Sequence, residues 1–340
     1  MICAGGQASP FPKRVLKLRA GAADENRAGP IAGRDASRQG ARGDEVVATP
    51  HADGQPRSLH LVICWALAAV WLALFILSML GSRTDLTTGL GQSQGLVLAL
   101  FVVAHGTLAY GWRGFGVYAV VTFAVALLFE ATSIRTGFPF GFYIHHLGPG
   151  LKLFGIPWVV PLSYVVTGWL AWSLARLVVR DQPAQTGGAD RFTTPLVATF
   201  ILAGYDLCFD SIGSTALGLW TWRDPSGLFG VPLSNFLGWL LTGWAAYQIF
   251  ALCEPRLAPG RATNRLAFWL PPCLLWLALG LQYPVMYAAA TDAIVRVDGR
   301  SFVTADIYET ALIVSLFTHV FVGLLATIRA LRLQRRPAEA

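Results

Sequence analysis

Two aspartates four residues apart, in Tyr205-Asp206-Leu207-Cys208-Phe209-Asp210, stand inside an otherwise apolar run. In a helix that spacing puts both carboxyls on one face, one turn apart. Two carboxyls so close in a low-dielectric setting resist simultaneous ionisation, so one is expected to keep its proton. A neutral carboxyl beside a carboxylate is equipment for acid–base chemistry. The bland alternative is that the pair caps a broken helix or meets Arg223 near the surface. A third acid, Glu130, closes an apolar run and precedes Thr136-Gly137-Phe138-Pro139-Phe140-Gly141-Phe142-Tyr143. Glycine, proline and aromatics at this density break a helix and shape an irregular loop. Irregular backbone at membrane depth is tolerated only where it lines a cavity or is covered by protein. Glu130 and the Asp pair are therefore expected to meet.

The remaining chemistry-bearing residues are weaker signals. Trp220-Thr221-Trp222 follows the Asp pair, and Gly230-Val231-Pro232-Leu233-Ser234-Asn235-Phe236 opens the next apolar run. Tryptophans there either anchor the chain at the membrane surface or offer π faces to an apolar ligand or a passing cation. Asn235, near a helix start, has helix capping as its bland role. His105 and His319 are isolated in apolar runs and read as interhelical hydrogen-bonding groups. His145-His146 lack nearby acids in sequence, which argues against a metal site. Glu309 suits a helix start.

The elements that must position these groups are membrane helices. Hydrophobic residues make up 54% of the 340, and charged ones only 13%, against about a quarter in soluble domains. The mean hydropathy is +0.53. Apolar runs are expected to span 60–81, 95–111, 115–134, 156–179, 195–219, 231–253, 266–290 and 306–328. About 20 residues of helix cross a bilayer core, and only helices satisfy the backbone of such runs in lipid. The expected fold is an all-α polytopic bundle of about eight transmembrane helices, or seven if one short run fails. With the N-terminus inside, the inner loops and tail hold eleven arginines, from Arg113 to Arg336. The outer loops hold six basic residues, among them Arg135, Lys152, Arg223 and Arg296. This asymmetry places a multi-pass protein in the cell membrane with both termini cytoplasmic.

Residues 1–57 lack apolar periodicity and read as a disordered polar segment, 58–332 as the membrane domain and 333–340 as a cytoplasmic tail. The net charge of +7 is spread between apolar runs, which argues against nucleic acid. Five cysteines without CxxC spacing read as small buried residues. The sequence has no P-loop, no GxGxxG after a strand, no CxxCH and no GxSxG. Any chemistry falls to carboxyls, aromatics and water, with no metal or cofactor expected.

The segments around Glu130–Tyr143 and Trp220–Trp239 resemble the CruF-type membrane carotenoid hydratases, in the right order along the chain. The resemblance implies an enzyme that adds water across the terminal C1′–C2′ double bond of acyclic carotenoid ends. Lycopene, γ-carotene-like and bisanhydrobacterioruberin-type substrates are implied, each giving a tertiary 1′-hydroxyl. No cofactor is implied; the partners are carotenoid, water and membrane lipid, and the oligomeric state stays open. On this reading Glu130, Asp206 and Asp210 are the catalytic candidates. Phe138, Phe140, Tyr143, Trp220, Trp222 and Asn235 are the candidate substrate-binding residues. Two rivals stand beside it. A magnesium-dependent membrane prenyltransferase would use DxxxD pairs, but Asp292…Asp298 is a poor second motif. A transporter or pigment-binding scaffold would also employ intramembrane acids.

Overall fold

A computed structural model describes residues 55–80, 85–146, 150–182, 187–257 and 265–335. The expected disordered segment therefore lies outside the described residues, apart from 55–57, which begin the first helix. Of the expected tail, residues 333–335 continue the last helix and the rest is undescribed.

The chain is an all-α polytopic membrane protein. Its helices are α1 (Gln55–Leu80) and α2 (Asp85–Thr136), then α3 (Val159–Val179), α4 (Asp190–Ser211), α5 (Leu233–Cys253) and α6 (Leu266–Ala288), with α7 (Thr304–Ser315) and α8 (Phe321–Arg335). Three two-stranded ribbons lie between helices: β1 (Tyr143–His145) with β4 (Trp220–Trp222), β2 (Lys152–Leu153) with β3 (Ile156–Pro157), and β5 (Ile294–Val297) with β6 (Arg300–Val303). Among the described residues, seven helical stretches are long and apolar enough to cross a membrane.

One of the seven makes two passes. The stretch Gln92–Thr136 holds 45 residues, and at about 1.5 Å each it would be roughly twice the ~30 Å hydrocarbon core. It is broken at Gly111, whose φ of 68° and ψ of 175° lie where glycine alone sits without strain. Before the break, His105 and then Tyr110 meet Trp169 and then Trp172 of α3. After it, Phe115 and Tyr118 return to Trp169, and Glu130 meets Tyr164. The chain thus runs along α3 in one direction and back in the other. Segments 85–110 and 112–136 count separately, which gives eight passes. At the other end of the chain, α7 and α8 join through a wide π-type turn, Leu316–Val320, into one pass.

α3 is the central helix. Trp169, Leu170, Ala171, Trp172, Leu174, Ala175 and Leu177 are all fully buried, as expected of a helix apolar on every side. Lipid supplies no hydrophobic drive between helices, so close packing and interhelical hydrogen bonds must hold them. Gly168 supplies the close approach. Its carbonyl accepts from Tyr247 Oη at 2.9 Å, and Tyr118 Oη bonds the neighbouring Val165 carbonyl at 3.0 Å. His105 bridges helices as expected, with Nε2 against the Phe268 carbonyl and Nδ1 accepting from Trp169. By contrast, α1 and α8 expose Leu59, Val62, Ile76, Phe321 and Leu324 to the surroundings, as lipid-facing helices do.

The end of the bundle at Gly111 is fastened by charge. Arg180, just past α3, reaches both carboxylate oxygens of Glu254 at 3.0 and 2.8 Å. Its Nε donates to Thr194 on α4 at 3.1 Å, and Tyr110 donates to Glu254. This network ties α2, α3, α4 and α5 together, in bidentate geometry that suits a buried pair.

Candidate active site

At the opposite end, the loop after α2 folds back over the bundle. Ser133 Oγ accepts from Phe140 N–H at 3.1 Å and donates to the Gly141 carbonyl at 2.7 Å. Ser234 of α5 donates to the Phe140 carbonyl at 2.9 Å. Phe140 is buried against Gly238, where any β-carbon would strike its ring. The next residues form β1, which pairs antiparallel with β4 in the register Tyr143↔Trp222, Ile144↔Thr221, His145↔Trp220. Successive strand residues face opposite sides. Tyr143, His145, Trp220 and Trp222 therefore face the bundle, while Ile144 stays 66% exposed.

Beneath this ribbon lies a cavity of about 260 Å³. All three acids line it: Glu130 from the end of α2, and Asp206 and Asp210 from the end of α4. Asn235 in the first turn of α5 is buried, and its Nδ2 donates to Asp206 Oδ2 at 3.2 Å and to Asp210 Oδ2 at 2.7 Å. One amide thus bridges the two aspartates; Asn235 lines the cavity, and its side chain bonds the acids, where capping was its bland role. Glu130 accepts from Tyr164 at 2.9 Å and from Tyr143. Arg223 does not meet the acids; it pairs with exposed Asp224 at 3.1 Å and lies over the Phe142 ring.

Phe140, Tyr143, Trp220 and Trp222 share the cavity, joined by Tyr164, Tyr205, Phe209 and Trp239. Tyr164 stacks on Trp239 with ring centroids 4.2 Å apart. Among the described residues, no lysine or arginine lines the cavity. Its exposed lining residues are Val159 and Ser163, in the first turns of α3, so the mouth lies beside them. Just past Asp210, the helix widens into a π-type turn, Ile212–Ala216, a form frequent at functional sites. Gly213 in that turn lets the Trp220 ring lie directly on the backbone.

One expected substrate-binding residue falls elsewhere. Phe138 is 58% exposed and lines a separate cleft with Gly137, Phe142 and Arg223. The turn that buries Phe140 sends Phe138 outward. His319 does not line the cavity; it is stacked on Trp276, with Nδ1 beside Thr318 and Cys208. Glu309 is exposed on α7.

The sequence reading did not name Tyr164, Trp239 or His145 as site residues. A tyrosine in an apolar helix needs a partner for its hydroxyl, a signal that was available for Tyr164. His145 stands two residues after Tyr143, on the same strand face, as Trp222 follows Trp220. That signal becomes visible only once both segments are read as strands.

The match of this chain to known proteins falls on these segments. No solved structure matches it. It is 29% identical over 159 residues to the bisanhydrobacterioruberin hydratase of Haloarcula japonica, which covers 45% of this chain and 52% of that protein. The chain therefore spans about half the length of this curated relative. Residues 91–297, which contain every cavity-lining residue, match the family described as carotenoid biosynthesis protein. That match covers more than half of the sequence, and the chain belongs to the carotenoid biosynthesis protein family.

Proposed function

We propose that the protein is a carotenoid hydratase that adds water across the terminal C1′–C2′ double bond of an acyclic carotenoid end. The observation that carries this reading is the cavity itself: three carboxyls and eight Phe, Tyr and Trp rings around an apolar space that opens beside exposed Val159 and Ser163, with no lysine or arginine among its described lining residues. Its ~260 Å³ falls below the range of about 300–1,000 Å³ that encloses a whole drug-sized ligand. It fits the end of a long chain whose remainder lies in lipid. A prenyl diphosphate would need cationic partners that this lining does not offer.

In the proposed reaction, the Asp206–Asp210 pair holds one proton between its two carboxyls. One of them protonates C2′, leaving a tertiary cation at C1′. The π faces of Trp220, Trp222 and Tyr143 attract that cation. Glu130, held by two tyrosine hydroxyls, adds a fixed acceptor facing the same space. Water then bonds to C1′, and its spare proton returns to the carboxylate. The tertiary 1′-hydroxyl forms, and the pair is restored without a cofactor. Lycopene presents the required end group. The basic residues gathered at the Arg180 end favour placing that end, with both termini, in the cytoplasm, so the cavity sits toward the outer face of the cell membrane.

The test is expression in hosts producing lycopene or bisanhydrobacterioruberin, with mass spectrometry for an added water. The wild-type chain should yield the mono- or dihydroxylated product. Failure to hydrate either carotenoid, or full product from both Asp206→Asn and Asp210→Asn, would overturn the reading.

A further inference from the structure

Hydration needs a second component that the carboxyls alone do not place: a water held at C1′ at the moment the cation forms. His145 stands where such a water is required. It lines the same cavity as the three acids, with its ring edge-on to Tyr143 at 5.1 Å and to Trp220 at 6.4 Å. Both ring nitrogens are shut from solvent, and neither has a hydrogen-bond partner among the described residues. A buried imidazole without partners is costly, so these nitrogens are made for something that arrives. Burial, with help from Lys152 and His146, lowers the His145 pKa to about 4. The ring is neutral at physiological pH and offers one donor and one acceptor.

A polar space adjoins this position. A second cleft of about 380 Å³, lined by Ser214, Thr215, Thr221 and Arg296, lies on the far side of Trp220. Trp220 is a wall of both spaces, and it is the register partner of His145. Beside it, His146 Nε2 bonds Thr221 Oγ1 at 2.9 Å, which fastens the ribbon.

Resting on the hydratase reading, we propose that His145 is a catalytic residue that holds the attacking water, supplied past Trp220 from the polar cleft. The step balances simply. A water lone pair on the oxygen bound to His145 forms the C1′–O bond, and the proton lost goes through the imidazole to the aspartate that gave one up. No oxidant or metal takes part.

The consequence is a partition. If protonation occurs and no water is held, the cation can only lose a proton again and revert to alkene. The experiment uses the full chain in membranes incubated with lycopene in deuterated water. Wild type should give mainly deuterated alcohol. His145→Phe should lower the ratio of alcohol to deuterium-labelled recovered alkene by at least about tenfold, because protonation continues while capture fails. His145→Gln, which keeps a donor and an acceptor, should recover much of the ratio. The ratio does not depend on how much enzyme accumulates, so a poorly expressed variant still reports. Asp210→Asn should suppress both products together. An unchanged ratio in both His145 variants, or alcohol and labelled alkene falling in parallel, overturns the role of His145 and leaves the hydratase reading standing. Absence of alcohol from wild type with both lycopene and bisanhydrobacterioruberin refutes the hydratase reading itself.

Discussion

The two ends of the bundle each bury carboxyls, yet they treat them oppositely. Glu254 meets a bidentate Arg180, with side-chain exposures of 4% and 0%. Glu130, Asp206 and Asp210 are equally buried but are held only by neutral donors: Tyr143, Tyr164 and Asn235. A buried carboxylate with a matched cation has spent its charge on holding helices together. A buried carboxyl held by hydroxyls and an amide, facing open space, keeps its proton chemistry available. The difference teaches that burial of an acid is no sign of function until its partner is known.

The comparison breaks most directly at the acids. Asp206→Asn and Asp210→Asn should each lower hydration by about 100- to 10,000-fold, the span typical of a lost general acid or base. Both should leave the thermal midpoint in detergent nearly unmoved, since Asn235 can still bond an amide oxygen. Glu254→Gln should do the reverse. It strands Arg180 without its counter-charge, a loss of roughly 3–5 kcal/mol for a buried pair. That corresponds to a fall of roughly 5–15 °C in the midpoint, with activity per folded molecule changed less than about twofold. Replacing both partners, Arg180→Met with Glu254→Leu, should restore much of the stability. If Glu254→Gln instead removed activity while the midpoint stayed put, the division between the two ends would collapse.

The neutral donors sharpen the contrast at lower amplitude. Asn235→Leu removes the bridge between the aspartates, so activity should fall roughly 10- to 100-fold, about 1.5–3 kcal/mol for hydrogen bonds to a charged group. The hydroxyls provide a matched pair, because Tyr143 serves Glu130 while Tyr110 serves Glu254. Tyr143→Phe should cost activity by about tenfold with little change in stability. Tyr110→Phe should cost about 1–2 kcal/mol of stability with little change in activity. Turnover and thermal unfolding measured on both variants check the pairing.

Much of this was legible in the sequence, and the reasons differ by residue. The apolar runs gave the passes because lipid forces a helix on any such run. Glycine's freedom at Gly111 explains why one continuous helical stretch still makes two of the eight passes. The Asp206–Asp210 spacing announced a shared face, and the broken loop after Glu130 announced that it would be covered. The Arg180–Glu254 pair was invisible, since 74 residues separate its members and each taken alone looks like a loop charge at a helix end. His145 was hidden for a different cause. Three-residue strands are too short for alternation to stand out, and their pairing depends on a partner 75 residues away. Short-range pattern reveals helices; it does not reveal which distant segments will close a cavity.

Phe138 tests that last point where the expected effect is smallest. Two residues before Phe140 and in the same aromatic motif, it carries an equal claim to the substrate when only the sequence is considered. The turn separates them: Phe140 is 1% exposed beneath the cavity, and Phe138 is 58% exposed beside a polar cleft. Phe138→Ala should therefore change hydration less than about twofold and stability by no more than about 0.5 kcal/mol, as for surface positions generally. Phe140→Ala should cost about 3–5 kcal/mol of packing. Turnover of Phe138→Ala on the carotenoid that wild type hydrates is the measurement. A loss beyond tenfold would mean that the polyene crosses the outer face of the ribbon, and the mouth beside Val159 and Ser163 would no longer be its entry.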